Sequence, residues 1–385
     1  MPLVGTERGE RRAKYGQSVK LAQCLQNRGA RVTYACRPGE FVESLCRAGS
    51  IQTFPLFTRN SRDLRAVRSL IQQIIRRRID LVHVHSRRDF VAAVLAVAGA
   101  RLYLRRRDKR PALVLRAHLM KSLGTPPLLS GYFFRQGADA VVAVSEAVRA
   151  FLTRIHRLDQ SFITTIYNDV DGDVFDPTAP KRSAWRERLR QHWKVPSEAT
   201  VIGMIGRLDS KGQATLLLAA PRLLARFPEV YFVFAGPEGE GGSRETLEKL
   251  AGAERVDHLV FAGLSEDIPA VLATFDILAH LPSEEAFGLV LVEAMAMGLP
   301  IVAARVGGCA EVVEDEKTGF LVPPDDQHTL LTALSALLGK NGRVLAAQFT
   351  EAGQERSRSL FSLARQVEAL ELLYAKVLSS CSTQP

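Results

Sequence analysis

The chain has 385 residues, 46% of them hydrophobic and 24% charged, and its formal net charge is +10. This length and composition are typical of a globular protein with two domains, and they exclude disordered and collagen-like chains. The longest apolar run, near residues 90–100, falls short of the roughly 20 residues that a membrane-spanning helix needs.

Five cysteines are scattered along the chain, and no apolar stretch follows Met1 closely. The cysteine spacing fits neither a disulfide framework nor a set of metal ligands, and the N-terminus lacks the pattern of a signal peptide. We therefore expect a protein of the reducing cytoplasm.

The charge is unevenly distributed. Residues 1–170 contain 30 Lys+Arg and 12 Asp+Glu, whereas residues 171–385 contain 21 and 29, so the two parts carry +18 and −8. A positive half attracts polyanions such as nucleic acid, an anionic membrane surface or a phosphorylated substrate. A solubilising surface is the alternative explanation of any single cluster.

The first half of the chain alternates short apolar segments with amphipathic ones. Residues 1–14 offer no apolar alternation, so we expect the first sheet to begin with "ARVTYAC" (30–36) or to hold only a stub before it. A helix is then predicted at residues 63–78, and strands are predicted at 80–86, 112–118 and 138–145.

The same alternation repeats after residue 170. Strands are predicted at 200–207, 230–236, 258–263, 275–282 and 300–306, with helices between them. This pattern predicts an α/β protein with two doubly wound parallel sheets. The two domains would join near residues 168–182, a segment rich in Asp and Pro where the charge changes sign.

Ligands of such sheets bind beyond the carboxyl ends of the strands. The first predicted strand of the second domain is followed by Gly206, Arg207 and Lys211. Two cations next to a glycine and a helix start can hold a phosphate. The alternative is a solvated loop with two ordinary surface cations.

The segment "SEEAFGLVLVEAMAMGLPIVA" (283–303) places one carboxylate, Glu293, inside an apolar helix. Phe287, Gly288 and Leu289 would form the helix N-terminus, which favours an anion, with Glu285 just before it. A buried unpaired carboxylate is costly. Either an internal arginine or backbone N–H satisfies Glu293, or the hydroxyls of a ligand such as a ribose do.

Glu285 and Glu293 match the E-x7-E motif, and through it the chain resembles the retaining glycosyltransferases of family four, which have the GT-B fold. The resemblance covers about residues 15–378. Further matching segments follow in the order of the family: "DLVHVHS", "DAVVAVSEAVRAFL", "IYNDVDGDVF", "GRLDSKG", "VFAGPEGE" and "FDILAHLPSEEAFGLVLVEAMAMGLPIVAARVGGCAEVVEDEKTGFLVPPDD".

The resemblance implies two facing Rossmann-like domains. Residues 1–168 would form the acceptor-side domain, with its first strand missing or truncated, and residues 169–360 the nucleotide-sugar donor domain. Residues 361–385 would be a tail and a last helix that crosses back to the first domain. Leu363, Val367, Leu370, Leu373 and Val377 recur there at helical spacing.

The resemblance also implies roles for residues. Arg207 and Lys211, next to Gly206, would bind the donor diphosphate, Glu285 the donor sugar and Glu293 the ribose. The backbone of Phe287, Gly288 and Leu289 would lie at the sugar and phosphate. His118 would lie near the donor sugar, unless it is an ordinary polar loop residue. Such enzymes need no metal and no cofactor beyond the donor.

The predicted activity is therefore transfer of a sugar, with retention, from a nucleotide-diphosphate sugar to a glycan or lipid-linked acceptor. Lipopolysaccharide or cell-envelope synthesis at the inner face of the membrane would suit the basic first half. An NAD-dependent enzyme is disfavoured because no G-x-G-x-x-G follows a strand. The alternative function is a non-enzymatic nucleotide- or nucleic-acid-binding protein that uses the basic N-terminal half. For nucleic acid, no binding motif supports it and aromatics make up only 7% of residues.

Overall fold

The computed structural model describes residues 8–56, 63–86, 89–104, 110–118, 120, 131, 134–239, 243–252 and 257–382. The chain divides into two compact units. The N-terminal unit combines Arg12–Asn168 with Leu363–Pro385, and the C-terminal unit contains Asp169–Ser362. No helix in the described part of the chain is both long and apolar enough to cross a membrane.

The N-terminal unit is built from parallel strands joined by helices, which confirms an α/β architecture for this half. Its strands are β1 (Thr33–Cys36), β2 (Gln52–Pro55), β3 (Leu81–Val84), β4 (Ala112–Ala117), β5 (Ala140–Ala143) and β6 (Ile163–Thr165). Its helices are α1 (Arg8–Asn27), α2 (Phe41–Ala48), α3 (Leu64–Arg77), α4 (Phe90–Tyr103), α5 (Glu146–His156) and α14 (Leu363–Ser382).

These strands form two parallel sheets, β1-β2 and β3-β4-β5-β6. Helix α1 packs on both of them. Its Val19 and Ala22 join the core cluster beside β1 and α2, whereas Leu21 joins the cluster on β4 and β5. Residues 8–14, where we expected no regular strand, lie in helix α1, and residues 1–7 lie outside the described part.

The last helix of the chain, α14, packs on the sheet of the N-terminal unit. Val367, Leu370, Leu373 and Val377 are buried there in one cluster with strand residues such as Val114. They are four of the five apolar positions that the helical spacing singled out, and the fifth, Leu363, is partly buried against the same cluster. The final helix therefore belongs to the core of the unit that begins the chain.

The C-terminal unit is a single six-stranded parallel sheet covered by helices. Its strands are β7 (Thr200–Ile205), β8 (Val230–Ala235), β9 (Leu259–Gly263), β10 (Ile277–His280), β11 (Ile301–Ala304) and β12 (Phe320–Val322). Its helices are α6 (Arg182–His192), α7 (Gln213–Arg226), α8 (Ser243–Ala251), α9 (Ile268–Ala273), α10 (Leu289–Ala296), α11 (Cys309–Val312), α12 (Gln327–Leu338) and α13 (Gly342–Leu360).

The strand order of this sheet is β12-β11-β10-β7-β8-β9. The order reverses between β7 and β10, which pair in parallel. Between the last residue of β7 and the first residue of β10 lie 71 residues, 206–276. All pairs in the sheet are parallel. In a sheet of this kind, a crevice for ligands opens at the carboxyl ends of the two strands where the order reverses.

Candidate functional site

The candidate site of the C-terminal unit lies at this reversal. The loop after β7 holds Gly206, Arg207 and Lys211, and the loop after β10 holds Glu285. The topology thus brings together two segments that are well separated in the sequence. Their contact is direct, because the Lys211 backbone carbonyl accepts a hydrogen bond from the Leu281 N–H at 2.9 Å.

The loop after β7 is shaped by a glycine and fixed by a buried amide. Gly206 has φ +134°, and a Cβ there would come within 2.7 Å of Lys211 Cγ, so a larger residue would displace the lysine. The Gln213 side chain donates to the Arg207 carbonyl at 3.1 Å and accepts from the Lys211 N–H at 3.1 Å. Arg207 is exposed, and its Nε lies 2.5 Å from an Asp209 carboxylate oxygen.

Glu285 lies in the loop before helix α10, where three groups hold its carboxylate. Lys211 Nζ is 2.8 Å from Oε2, and His280 Nε2 is 3.1 Å from the same oxygen. The Ala286 N–H donates to Oε1 at 3.1 Å. The predicted phosphate ligand Lys211 is therefore paired, in this structure, with the predicted sugar ligand Glu285.

The charges of this cluster follow from its burial. Desolvation opposes the ionisation of Glu285, but the hydrogen bond from His280 and the charge of Lys211 outweigh it, so the pKa of Glu285 lies well below its usual range. Burial lowers the pKa of His280, against the opposing effect of Glu285. At neutral pH the site therefore pairs an ionised carboxylate with a neutral imidazole.

Helix α10 begins next to this cluster. Its N-cap is Gly288, with φ +86° and ψ +56°, a left-handed conformation that glycine adopts without strain. The Phe287 side chain is buried, and its ring centroid lies 5.7 Å from that of Phe361. Only the backbone of Phe287 is therefore available to bind a ligand. Leu289 is half-buried. The helix N-terminus carries a partial positive charge suited to an anion.

Glu293 lies in the middle of α10 and is 9% exposed. No ion pair or hydrogen bond joins its carboxylate to any other residue that the structure describes, so the internal arginine that the sequence left open as its partner is not found there. Burial raises the pKa of Glu293 to about 7. A carboxylate kept in this position at such a cost calls for an explanation outside the protein's own contacts.

His118, the remaining predicted site residue, lies in the N-terminal unit directly after β4 and is half-buried. Its ring lies 6.0 Å from that of His85, which in turn lies 4.2 Å from the ring of His83. Burial, with the charge of Arg116, lowers the pKa of His83 to about 3, so that ring is neutral. The carboxyl ends of β3 and β4 therefore share a row of three imidazoles.

The sequence pattern did not single out three residues that shape these sites: His280, Gln213 and Asp209. The signal for His280 was a polar residue at the end of an apolar strand, and for Asp209 a carboxylate between the two predicted phosphate ligands. Among the described residues, no group of three His, Cys, Asp or Glu side chains is arranged to hold a metal ion.

Two family models match the chain. Residues 18–174 match "Glycosyltransferase Family 4", and residues 186–356 match "Glycosyl transferases group 1". A D-inositol 3-phosphate glycosyltransferase of Corynebacterium kroppenstedtii is 32% identical over 239 residues, which are 58% of this chain and 52% of that protein. The chain thus spans about half the length of the curated relatives that it matches.

Solved structures resemble the whole chain. A glycosyltransferase from Rickettsia africae ESF-5 has a TM-score of 0.81 and 22% identity, with 94% of each chain covered. Anabaena Alr3699/HepE, solved in complex with UDP-glucose, has a TM-score of 0.77 and 23% identity, with 95% of this chain and 96% of that chain covered.

The two α/β units with parallel sheets therefore have the GT-B fold. Together with the two matched family models, this fold confirms the family resemblance that the E-x7-E motif indicated. The chain belongs to glycosyltransferase family four.

Proposed function

We propose that the chain transfers a sugar, with retention of anomeric configuration, from a nucleotide-diphosphate sugar to an anionic acceptor. The observation that carries this proposal is Glu293, a buried carboxylate without a partner among the described residues. Two ribose hydroxyls are donors that would satisfy it. The same unit offers Arg207, Lys211 and the N-terminus of α10 for the diphosphate.

The geometry suits the chemistry of sugar transfer. When the bond between the anomeric carbon and the diphosphate breaks, its electron pair stays on the diphosphate oxygen. An acceptor hydroxyl adds to the same face of the carbon and passes its proton to that oxygen. Arg207 and Lys211 would stabilise the growing negative charge more in the transition state than in the ground state. Because these groups supply positive charge, the reaction needs no metal.

Glu285 and His118 would act on the donor sugar. Glu285 stays ionised and can accept hydrogen bonds from sugar hydroxyls. His118, which directly follows β4, is the second proposed contact of the donor sugar. The backbone of Gly206, Phe287, Gly288 and Leu289 would line the phosphate and sugar.

Two acceptor classes are open to test. The charge of +18 in residues 1–170 supports an anionic glycan or a lipid-linked acceptor, as in lipopolysaccharide or other cell-envelope synthesis. The curated relatives, named as D-inositol 3-phosphate glycosyltransferases, support a small phosphorylated cyclitol instead. Both carry phosphate, and a basic surface attracts both.

The N-terminal unit also has a surface suited to an anionic membrane. At the end of α4, Leu102 and Tyr103 are 68% and 72% exposed. The exposed Arg76 and Arg78 lie at the end of α3, which packs side by side with α4. Exposed apolar and cationic side chains together favour an anionic bilayer surface. The enzyme would thus work in the cytoplasm as a peripheral protein on the inner face of the membrane.

The first experiment is a thermal-shift screen with UDP, GDP, ADP, NAD and a short oligonucleotide. We expect a nucleoside diphosphate to stabilise the wild type and to lose this effect in Glu293→Gln, while Glu351→Gln, which alters an exposed carboxylate on α13, keeps it. A response to NAD or to the oligonucleotide alone would overturn the proposal.

The acceptor is then decided by product analysis. The nucleotide sugars of the responding base are incubated with lipid-linked glycans, lipopolysaccharide cores and inositol phosphates, and the products are read by mass spectrometry. Membrane binding is measured by co-sedimentation with phosphatidylglycerol or phosphatidylcholine vesicles. Binding to the anionic vesicles should fall in Leu102→Ser/Tyr103→Ser but not in Leu64→Ser, a control that alters an equally exposed leucine.

A further inference from the structure

His280 is a buried imidazole that the proposed reaction leaves without a role. It is the last residue of β10, pairs in register with Ala303 of β11, and is 1% exposed. Its strand neighbours Leu278 and Ala279 are apolar and fully buried, as expected for a central parallel strand. A polar ring at this point is therefore not needed to build the sheet.

The ring has one defined partner. Its Nε2 lies 3.1 Å from Glu285 Oε2, the oxygen that also meets Lys211 Nζ at 2.8 Å. Because Glu285 is ionised and His280 is neutral, Nε2 carries the ring proton and its N–H donates a hydrogen bond to the carboxylate. The other ring nitrogen, Nδ1, is then a bare acceptor, and it is buried without a hydrogen-bond partner in the part of the chain that the structure describes.

The two donors to Glu285 differ in mobility. His280 sits on a central strand and its ring is enclosed, whereas Lys211 reaches the carboxylate through a flexible stem from a loop. Lys211 also lies in the same loop as Arg207, where a donor diphosphate is expected. An ammonium that turns toward that diphosphate must weaken its contact with Glu285.

We propose that His280 is a positioning residue that keeps Glu285 in place when Lys211 exchanges this carboxylate for a phosphate of the donor. The inference rests on the proposed function for the identity of the incoming anion. In the free enzyme, Lys211 and His280 hold Glu285 together. In the donor complex, His280 and the Ala286 N–H hold it alone, so the carboxylate stays oriented toward the sugar.

A double-mutant cycle in the full chain tests, without any substrate, whether Lys211 and His280 both hold Glu285 in place. The variants are Lys211→Met, His280→Gln, His280→Leu and the two double variants, and the readout is the melting temperature at pH 7. Glutamine can place an amide N–H near the position of Nε2, and leucine cannot. We expect the melting temperature of Lys211→Met/His280→Leu to fall by more than the two single falls together, and that of Lys211→Met/His280→Gln to follow the sum.

Additive losses in the leucine cycle would overturn the inference, and so would equal coupling in both cycles. The cycle tests the inference even if no donor is turned over, an outcome that would count against the proposed function alone. If His280→Leu does not fold, His280→Gln still tests the inference. The changes in melting temperature caused by Lys211→Met and His280→Gln must then be additive. Those caused by Lys211→Met and Glu285→Gln must not be additive.

Kinetics with the nucleotide sugar that the screen identifies give the second readout. We expect His280→Leu to lower kcat about tenfold, which corresponds to the loss of one hydrogen bond to a charged group. His280→Gln should keep most of the wild-type kcat. Leu278→Ala is the control for simple destabilisation of β10 and should keep kcat once corrected for folded protein. Equal kcat losses in His280→Gln, His280→Leu and Leu278→Ala would assign His280 a purely structural role.

Discussion

The hydroxyl of Tyr374 on α14 lies 2.6 Å from Nδ1 of His83 on β3, a hydrogen bond between residues 291 positions apart in sequence. Burial raises the pKa of Tyr374 and lowers that of His83, so a protonated phenol meets a neutral imidazole. This bond joins the final helix to the strand that leads to His85.

Tyr374→Phe should destabilise the protein by about 1–3 kcal/mol, because it leaves the buried Nδ1 of His83 without its hydrogen-bond partner. Urea unfolding at pH 7 measures the change. Leu372→Ala, on the same helix but at a side chain that is 75% exposed, is the control and should change stability by less than about 0.5 kcal/mol. Equal effects of the two substitutions would contradict the prediction.

His83 should make stability depend on pH. Its pKa falls from 6.5 to about 3 on folding, so the unfolded chain binds more protons between these values and stability is lost as pH falls. One pKa unit corresponds to about 1.4 kcal/mol, so His83 should account for up to about 2 kcal/mol of loss between pH 6.5 and 5. His83→Gln should remove that part of the slope in urea unfolding, and an unchanged slope would refute the assignment.

Glu293 should act in the opposite direction. Its pKa rises from 4.5 to about 7 on folding, so the folded chain binds more protons in that interval and stability falls as pH rises through it. Glu293→Gln should therefore gain stability over the wild type up to about 3 kcal/mol at pH 8, with little difference at pH 4. Denaturant titrations of both proteins at the two pH values measure this, and a variant that is less stable at pH 8 would point to a partner inside the protein.

Binding of a nucleoside diphosphate should release a proton near pH 7. Hydroxyls that donate to Glu293 favour its ionised form, so a carboxyl group that is half protonated before binding should give up about half a proton. Calorimetry in two buffers of different ionisation enthalpy measures the release. The same heat in both buffers would show that the ligand leaves Glu293 untouched.

Arg207→Ala and Lys211→Met should lower kcat by about 100-fold while changing the donor KM much less, because their charges meet the leaving diphosphate most strongly in the transition state. Glu293→Gln should instead raise the donor KM, since a ribose is held alike in both states. Steady-state kinetics against Lys249→Met, a control at an exposed lysine of α8, would separate these outcomes. A rise in KM alone for Arg207→Ala would place that residue in ground-state binding.

Most of the fold could be predicted from the sequence because long strands carry long apolar runs. The strands near residues 112–118, 200–207 and 230–236 were found in this way. The strands β2, β6 and β12 were not. "ITT" and "FLV" have only three residues, too few to show a period, and "QTFP" contains two polar residues and a proline.

The site was predictable where its residues are contiguous. The spacing of Glu285 and Glu293 and the cations after β7 could be read directly. The pairing of Lys211 with Glu285 could not, because it depends on β7 lying beside β10, which is a property of the sheet order. The hydrogen bond from His280 to Glu285 depends on the same strand order. It also depends on the turn that brings Glu285 back to the end of β10.

The packing of α14 also bears on how the protein is made. Four buried apolar side chains of this helix contribute on the order of 6–12 kcal/mol to the N-terminal unit, which is comparable with the whole net stability of a domain. In chain order, that helix follows the whole C-terminal unit. Until α14 has been synthesised, the N-terminal unit has one face of its sheet covered by α1 only in part. The C-terminal unit can therefore fold before the N-terminal unit is complete.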